Sequence, residues 1–239
     1  MENKFLEELM IAVYKNNINI DSKTCEKLSK FKELMLEYNS KHNITSITDE
    51  KEIIYKHFID SLNALDVMEN NVKVLDIGCG GGFPSIPLAL AKNTLNITAM
   101  DSVKKKTDFV NLVKNELKID NLQVINDRIE EFIKKNNNRE SYDYVLARAV
   151  APLNTLLEYS IPYLKIGGKL IAFKGSNYQE ELNNAKNAMK TLNCELAEII
   201  DYRIEDIDRT NYIITIQKMD STDNKYPRGQ NKPRLNPLT

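Results

Sequence analysis

Two hydrophobic rhythms divide this chain. Up to about residue 66, apolar positions recur every three or four residues: Phe5, Leu6, Leu9, Met10 and Val13, then Leu28, Phe31, Met35 and Tyr38. That stripe belongs to amphipathic helices and predicts two of them, over 3–15 and 22–39. A polar stretch, Asn39 to Asp49, leads into a third helix expected over 50–66. From residue 72 short apolar runs alternate with amphipathic stretches. The runs predict strands near 72–77, 96–101, 121–126, 142–147 and 168–174; the stretches predict helices near 84–92, 103–118, 127–136, 152–164 and 178–192. Such alternation is how a parallel sheet wound on both faces is encoded. Residues 194–204 and 211–218 are two more strands without a long helix between them, so they should pair antiparallel. The expected fold is α/β: a mostly parallel sheet with an antiparallel C-terminal strand. A helical cap over 1–66, a sheet domain over 67–219 and a tail over 220–239 are the expected divisions.

Composition narrows the class. With 42% hydrophobic and 28% charged residues the chain lies in the globular range, away from disorder. The opening Met-Glu-Asn-Lys-Phe has no signal-peptide pattern and no apolar run is long enough to span a bilayer, so a cytoplasmic protein is expected. Cys25, Cys79 and Cys194 lie far apart without metal-ligand spacing, which predicts reduced thiols and no metal site. Cys79 reads as a small residue tolerated in a tight turn rather than as a nucleophile. The net charge of −1 conceals a basic end. Beyond Asp223 come Lys225, Arg228, Lys232 and Arg234 with no acid, interrupted by Pro227, Pro233 and Pro237. Such a tail can lie along phosphates or simply fray in water, and composition leaves both open.

The richest local signal is Val74-Leu75-Asp76-Ile77-Gly78-Cys79-Gly80-Gly81-Gly82-Phe83-Pro84. An apolar strand runs into clustered glycines, which allow positive φ and a close approach of backbone N–H groups to a ligand. Pro84 suits the first turn of the helix that follows. The dinucleotide fingerprint asks for a glycine at the sixth position of this turn, and Phe83 stands there instead. Asp76 ends the strand beside the ligand. A carboxylate there would repel a pyrophosphate and favour an ammonium or a sulfonium. Asp76 with Gly78, Gly80 and Gly82 resembles motif I of class I S-adenosylmethionine-dependent methyltransferases, a Rossmann-like fold.

Other strand ends add candidates, since open α/β sheets bind ligands at the carboxyl ends of their strands. Asp101-Ser102 closes the second strand about 20 residues beyond the glycines, where a ribose-binding carboxylate belongs; Asp101 can also cap the helix from Val103, with Ser102 sharing the task, and the spacing favours the ribose role. Ile129 and Glu130, after the third strand, stand where adenine is usually contacted. Otherwise Asp127 and Glu130 form a capping box. Arg148, flanked by Ala147 and Ala149, ends the fourth strand and points toward the site unless it serves a salt bridge. No Asn/Asp-Pro-Pro-aromatic element for exocyclic amines and no cysteine for pyrimidine carbon occupies 146–152. A ring nitrogen with a free lone pair needs neither. No catalytic acid/base residue is assigned.

The chain as a whole is similar to the bacterial 16S ribosomal RNA guanine-N7 methyltransferases, the ribosomal RNA small subunit methyltransferase G family once called glucose-inhibited division protein B. The resemblance is carried by Tyr38-Asn39-Ser40-Lys41-His42-Asn43-Ile44-Thr45, His57-Phe58-Ile59-Asp60-Ser61-Leu62 and the glycine segment. It continues in Arg128-Ile129-Glu130, Ala147-Arg148-Ala149, Phe173-Lys174-Gly175 and Tyr226-Pro227-Arg228. It implies methyl transfer from S-adenosylmethionine to N7 of one guanine of small-subunit RNA, by a monomer. Gly78, Phe83, Ile129, Glu130 and Arg148 would then contact the donor, with Asp101 on its ribose. Lys174 and Arg228 are placed on the RNA by location alone. The tail departs from the family pattern at Gly229-Gln230-Asn231-Lys232. His57, Asp60 and Ser61 fall within about one helical turn, so they read as a hydrogen-bonded contact between the cap and the sheet domain rather than a hydrolytic triad. Methylation of tRNA or a small molecule, a nicotinamide or flavin oxidoreductase on the same fold, and a non-catalytic RNA-binding protein are the competing expectations.

Overall fold

The glycine segment and the strand ends of interest are positioned by one seven-stranded sheet of order β3-β2-β1-β4-β5-β7-β6. The structure is a computed structural model and describes residues 4–135 and 137–239. The expected helix start at 3 and helix end at 136 therefore lie outside the described residues. In chain order come α1 (Lys4–Lys15), α2 (Ser22–His42), α3 (Glu50–Glu52), a π-helix (Ile53–Ile59) and α4 (Asp60–Leu62). Then follow β1 (Lys73–Ile77), α5 (Ser85–Ala91), β2 (Asn96–Asp101), α6 (Lys104–Leu117), β3 (Leu122–Asn126), α7 (Ile129–Phe132) and β4 (Tyr142–Arg148). The chain closes with α8 (Leu153–Ser160), β5 (Leu164–Lys174), α9 (Tyr178–Asn184), α10 (Lys186–Thr191), β6 (Cys194–Ile204), β7 (Arg209–Lys218) and α11 (Lys232–Leu235). The expected helix over 50–66 is thus a composite that ends at Leu62 and contains a π-helical stretch.

Two compact units emerge. The first holds the N-terminal helices to Asn71, Cys79–Asn126 and Ile204–Arg209. Its core is aromatic: Phe31 has its ring centroid 5.0 Å from Phe83, 5.8 Å from Phe58 and 6.1 Å from Phe109. Helix α2 begins where the Asp21 side chain accepts the Thr24 N–H and ends where Asn43 turns left-handed, a stop signal at each end. Strands β2 and β3 pair parallel, Asp101 opposite Asn126, so their carboxyl ends share an edge.

The second unit holds Val72–Gly78, Asp127–Arg203 and Thr210–Thr239. Here β1, β4 and β5 run parallel, with Asp76 opposite Leu146 and Arg148 opposite Phe173. β7 is antiparallel to β5, Tyr212 opposite Lys174. An antiparallel C-terminal strand on a mostly parallel sheet is the expected architecture, and its antiparallel partner here is β5. Pro162 cuts the expected 152–164 helix short, and β5 starts at Leu164, opposite Tyr142.

Candidate active site

The glycine segment begins in the second unit. Asp76 is 0% exposed and Gly78 adopts φ +69. A Cβ on Gly78 would sit 3.0 Å from Cγ2 of Val150, so the face left bare is already closely approached by the turn after β4. That turn passes through Ala149 at φ +56, an uncommon conformation for a residue other than glycine. Arg148, half-buried, ends β4 just before it. Glu130 is buried and Ile129 half-buried at the start of α7. The capping-box reading of Glu130 fails: the residue before α7 is Arg128, and Asp127 uses its carboxylate on the Arg128 N–H (2.9 Å) and the Lys135 ammonium (2.8 Å).

The segment continues in the first unit. The Cys79 N–H donates to the Met100 carbonyl (2.9 Å), and Gly80 and Gly82 have φ +56 and +91. A Cβ on Gly82 would lie 2.3 Å from Cδ1 of the core residue Ile86, so no other residue fits. Asp101, 7% exposed, is not an N-cap; that position is Val103. Its carboxylate instead ties two loops, accepting the Gly80 N–H at 3.0 Å and the Val103 N–H at 2.8 Å, with Lys106 Nζ 3.8 Å away. Each oxygen keeps a further lone pair, which a ribose hydroxyl could use. Asn126 steadies the strand end by donating to the Asp101 carbonyl (2.9 Å), and Ser102 lies exposed.

Gly78 and Gly82 lack the Cβ that would crowd Val150 and Ile86, which lets the turn pack closely against its own neighbours. Asp76 is the penultimate residue of β1, and Asp101 closes β2. No thiol competes as nucleophile at Cys25 or Cys194, because burial pushes them up to about 11 and about 12. Among the described residues no group of three or more His, Cys, Asp or Glu could hold a metal, and no helix is long and apolar enough to cross a membrane.

The two residues placed on RNA by location have internal partners. Arg228 Nε and the Arg228 N–H donate to Oε1 of Glu158 (2.9 and 2.8 Å), and its terminal amino group reaches Oε2 (2.7 Å). Glu158 is 0% exposed. Lys174 Nζ donates to Glu181 (2.6 Å) and to the Ala151 carbonyl (3.0 Å). Withdrawing Arg228 to meet a phosphate would strand the buried charge of Glu158, whereas Glu181, the partner of Lys174, is partly open to water. Nor does the tail fray. Tyr226 and Pro233 are buried, Arg139 donates to the Thr222 and Tyr226 carbonyls, and the Thr155 hydroxyl donates to the Pro233 carbonyl (3.0 Å).

His57, Asp60 and Ser61 follow one another within a single composite helix. The Ser61 hydroxyl donates to the His57 carbonyl (2.6 Å), the ordinary back-bond of a helical serine, while the imidazole lies on Phe83. Sequence reasoning missed the partners Glu158, Glu181 and Thr45, as well as Val150 against Gly78.

Comparison with known proteins bears on the chain as a whole. The family described as rRNA small subunit methyltransferase G matches residues 24–216. Ribosomal RNA small subunit methyltransferase G of Caldanaerobacter subterraneus subsp. tengcongensis is 39% identical over 240 residues, covering 100% of both chains. The protein of that name from Streptococcus pneumoniae is 39% identical over 225 residues, 93% of this chain and 94% of its own. Among solved structures, M. jannaschii TYW2 in complex with AdoMet is similar with TM-score 0.56 at 14% identity, over 73% of this chain and 80% of that one. P. horikoshii TYW2 in complex with MeSAdo gives 0.52 at 14%, over 66% and 61%. At that identity the two structures speak for the fold alone. The full-length relatives speak for more: the chain belongs to the rRNA small subunit methyltransferase G family.

Proposed function

We propose that this chain transfers a methyl group from S-adenosylmethionine to N7 of a specific guanine in 16S rRNA of the small ribosomal subunit, acting as a cytoplasmic monomer. The observation that carries the reading is the acid-ended strand and its bare glycine turn, in a chain matched to the family over 24–216. The donor would be held by Asp76, Gly78, Gly80, Gly82, Phe83, Asp101, Ser102, Ile129, Glu130 and Arg148. Bound there, S-adenosylmethionine supplies a methyl group made electrophilic by the adjoining sulfonium.

The chain's own residues have binding and alignment to do. Asp76 brings an acidic group to the strand end, which discriminates for a cationic ligand and against a pyrophosphate. Asp101 fixes the Gly80 amide and offers its remaining lone pairs to a diol; hydrogen bonds to a charged acceptor are the stronger kind. Guanine N7 carries its lone pair without losing a proton, so no general base is required. Holding the two centres in line can supply about 7–11 kcal/mol in favourable cases.

The test is incubation of purified protein with small ribosomal subunits and methyl-labelled donor, followed by mapping of the modified base. Label at a guanine N7 of 16S rRNA is expected. Label in tRNA, in another base or in none would refute the assignment.

A further inference from the structure

We infer that His57 is a positioning residue, bracing the glycine turn from behind through its ring contact with Phe83; its effect on the donor rests on the reading above. His57 lies in the π-helix Ile53–Ile59, a rare conformation frequent at functional sites. The imidazole is buried and stacks on Phe83 with centroids 4.2 Å apart and planes 15° from parallel. Nε2 is 3.3 Å from the Thr45 hydroxyl.

Each partner leads on to the turn. Phe83 donates its N–H to the Cys79 carbonyl at 3.0 Å, and its ring lies 3.8 Å from where a Gly81 Cβ would stand. Ile44 Cδ1 is 3.9 Å from the same point. Asn39 Oδ1 accepts the N–H groups of both Ile44 (2.7 Å) and Thr45 (3.0 Å), while the Thr45 hydroxyl also accepts the Ile47 N–H (3.1 Å). The two N-terminal motifs that the glycine segment does not explain, Tyr38–Thr45 and His57–Leu62, therefore converge on its rear face. An aliphatic residue would fill the same space without a polar nitrogen to satisfy. The histidine adds directional contacts: the Thr45 hydrogen bond helps to fix its plane, and the stack passes that plane to Phe83. A histidine serving the core alone would affect stability and leave donor affinity untouched.

The experiment uses the full chain, with S-adenosylhomocysteine as calorimetric probe and amide hydrogen exchange on the ligand-free protein. His57→Leu should weaken S-adenosylhomocysteine binding about 3- to 10-fold, the scale of one stacked pair. It should also speed exchange over residues 79–86 while β4 and β5 stay unchanged. Donor KM rises by a similar factor and kcat stays within about twofold. His57→Phe keeps the stack and should recover most of the affinity and protection. The brace is refuted if His57→Leu binds like wild type, if it loses thermal stability and kcat with donor KM unmoved, or if His57→Phe behaves like His57→Leu. Should His57→Leu not fold, Thr45→Val carries the comparison, and unaltered exchange over 79–86 would refute it equally. A wild-type protein that ignores S-adenosylhomocysteine, while exchange at 79–86 still responds to His57→Leu, would sink the donor reading and leave the brace standing.

Discussion

Replacing Arg228 by alanine tests whether the basic tail is anchored inward or faces RNA. The guanidinium gives Glu158 two of its three hydrogen bonds, at 2.9 and 2.7 Å, and only the Arg228 N–H would survive the substitution. Glu158 is 0% exposed, whereas the Arg228 side chain is 23% exposed. Removing one partner of a buried pair costs about 3–5 kcal/mol. Water entering from the open Arg228 side moves the expectation to the lower end, about 3 kcal/mol. For a chain of this size that lowers the melting temperature by roughly 6–12 °C. The pair also predicts an asymmetry. Glu158→Gln should cost less, because the half-exposed guanidinium can turn to water, and the double variant Arg228→Met/Glu158→Leu should recover much of the loss. Bonding to Glu158 raises the guanidinium above its ordinary value, so it stays charged throughout the working range and the deficit should be flat from about pH 6 to pH 9. Thermal and urea unfolding by circular dichroism would measure all of this. An Arg228→Ala protein melting within about 2 °C of wild type but failing on ribosomal RNA would refute the reasoning.

Gly82→Ala adds a Cβ at φ +91 and 2.3 Å from Ile86, so we expect a loss of about 2–4 kcal/mol and of donor binding; Gly81→Ala, whose nearest neighbour is 3.8 Å away, should be near wild type in the same melting and calorimetry assays. Equal effects would show that the turn is not shaped by that contact. Asp101→Ala leaves the Gly80 and Val103 amides without their acceptor and removes the proposed ribose contact, so S-adenosylhomocysteine affinity should fall at least about tenfold in a folded protein. Unchanged calorimetric affinity would remove the ribose assignment. At Asp143, burial works against the charge, but the Lys165 ammonium and the Lys73 N–H outweigh it and hold the carboxyl below its ordinary 3.8. Because the folded value is the lower one, this stabilisation is complete above the unfolded value and is lost as pH falls through the folded value. Urea titrations of Asp143→Asn should show a deficit at about pH 6 that closes toward about pH 2.5, and a deficit independent of pH would contradict the assignment.

How far these elements could be read from the sequence depended on where their causes lie. The β2 strand falls at 96–101 as expected, because its boundary is written locally in an apolar run that ends at an acid. The helix over 127–136 shrank to Ile129–Phe132, since Asp127 turned its carboxylate to Arg128 and Lys135 instead of capping. Nothing in the residue types separates those two uses of an aspartate. Likewise Leu164–Gly168 has no strand alternation, yet it is drawn into β5 by pairing with Tyr142, a residue of a distant segment.

The site divides along the same line. The positive φ of Gly78, Gly80 and Gly82 was legible because strand and glycines are contiguous and the turn is made by their own backbone. The tail was not, because composition records a charge without recording its partner. Four cations stand beyond Asp223, but Arg228 is claimed by Glu158, 70 residues away, and Lys225 already faces Asp223 at 3.0 Å. The Lys225 pair is exposed and weak, so that charge remains largely available. Lys232 and Arg234 are exposed too, and Arg234 rests on the Val150 carbonyl at 3.1 Å. Val150 is the residue whose methyl faces the bare side of Gly78. The outward charge of the tail is therefore fastened to the turn that covers the glycine segment, and the inward charge holds the tail in place so that it can be. A residue count weighs those two kinds of arginine equally; only the burial of Glu158 tells them apart.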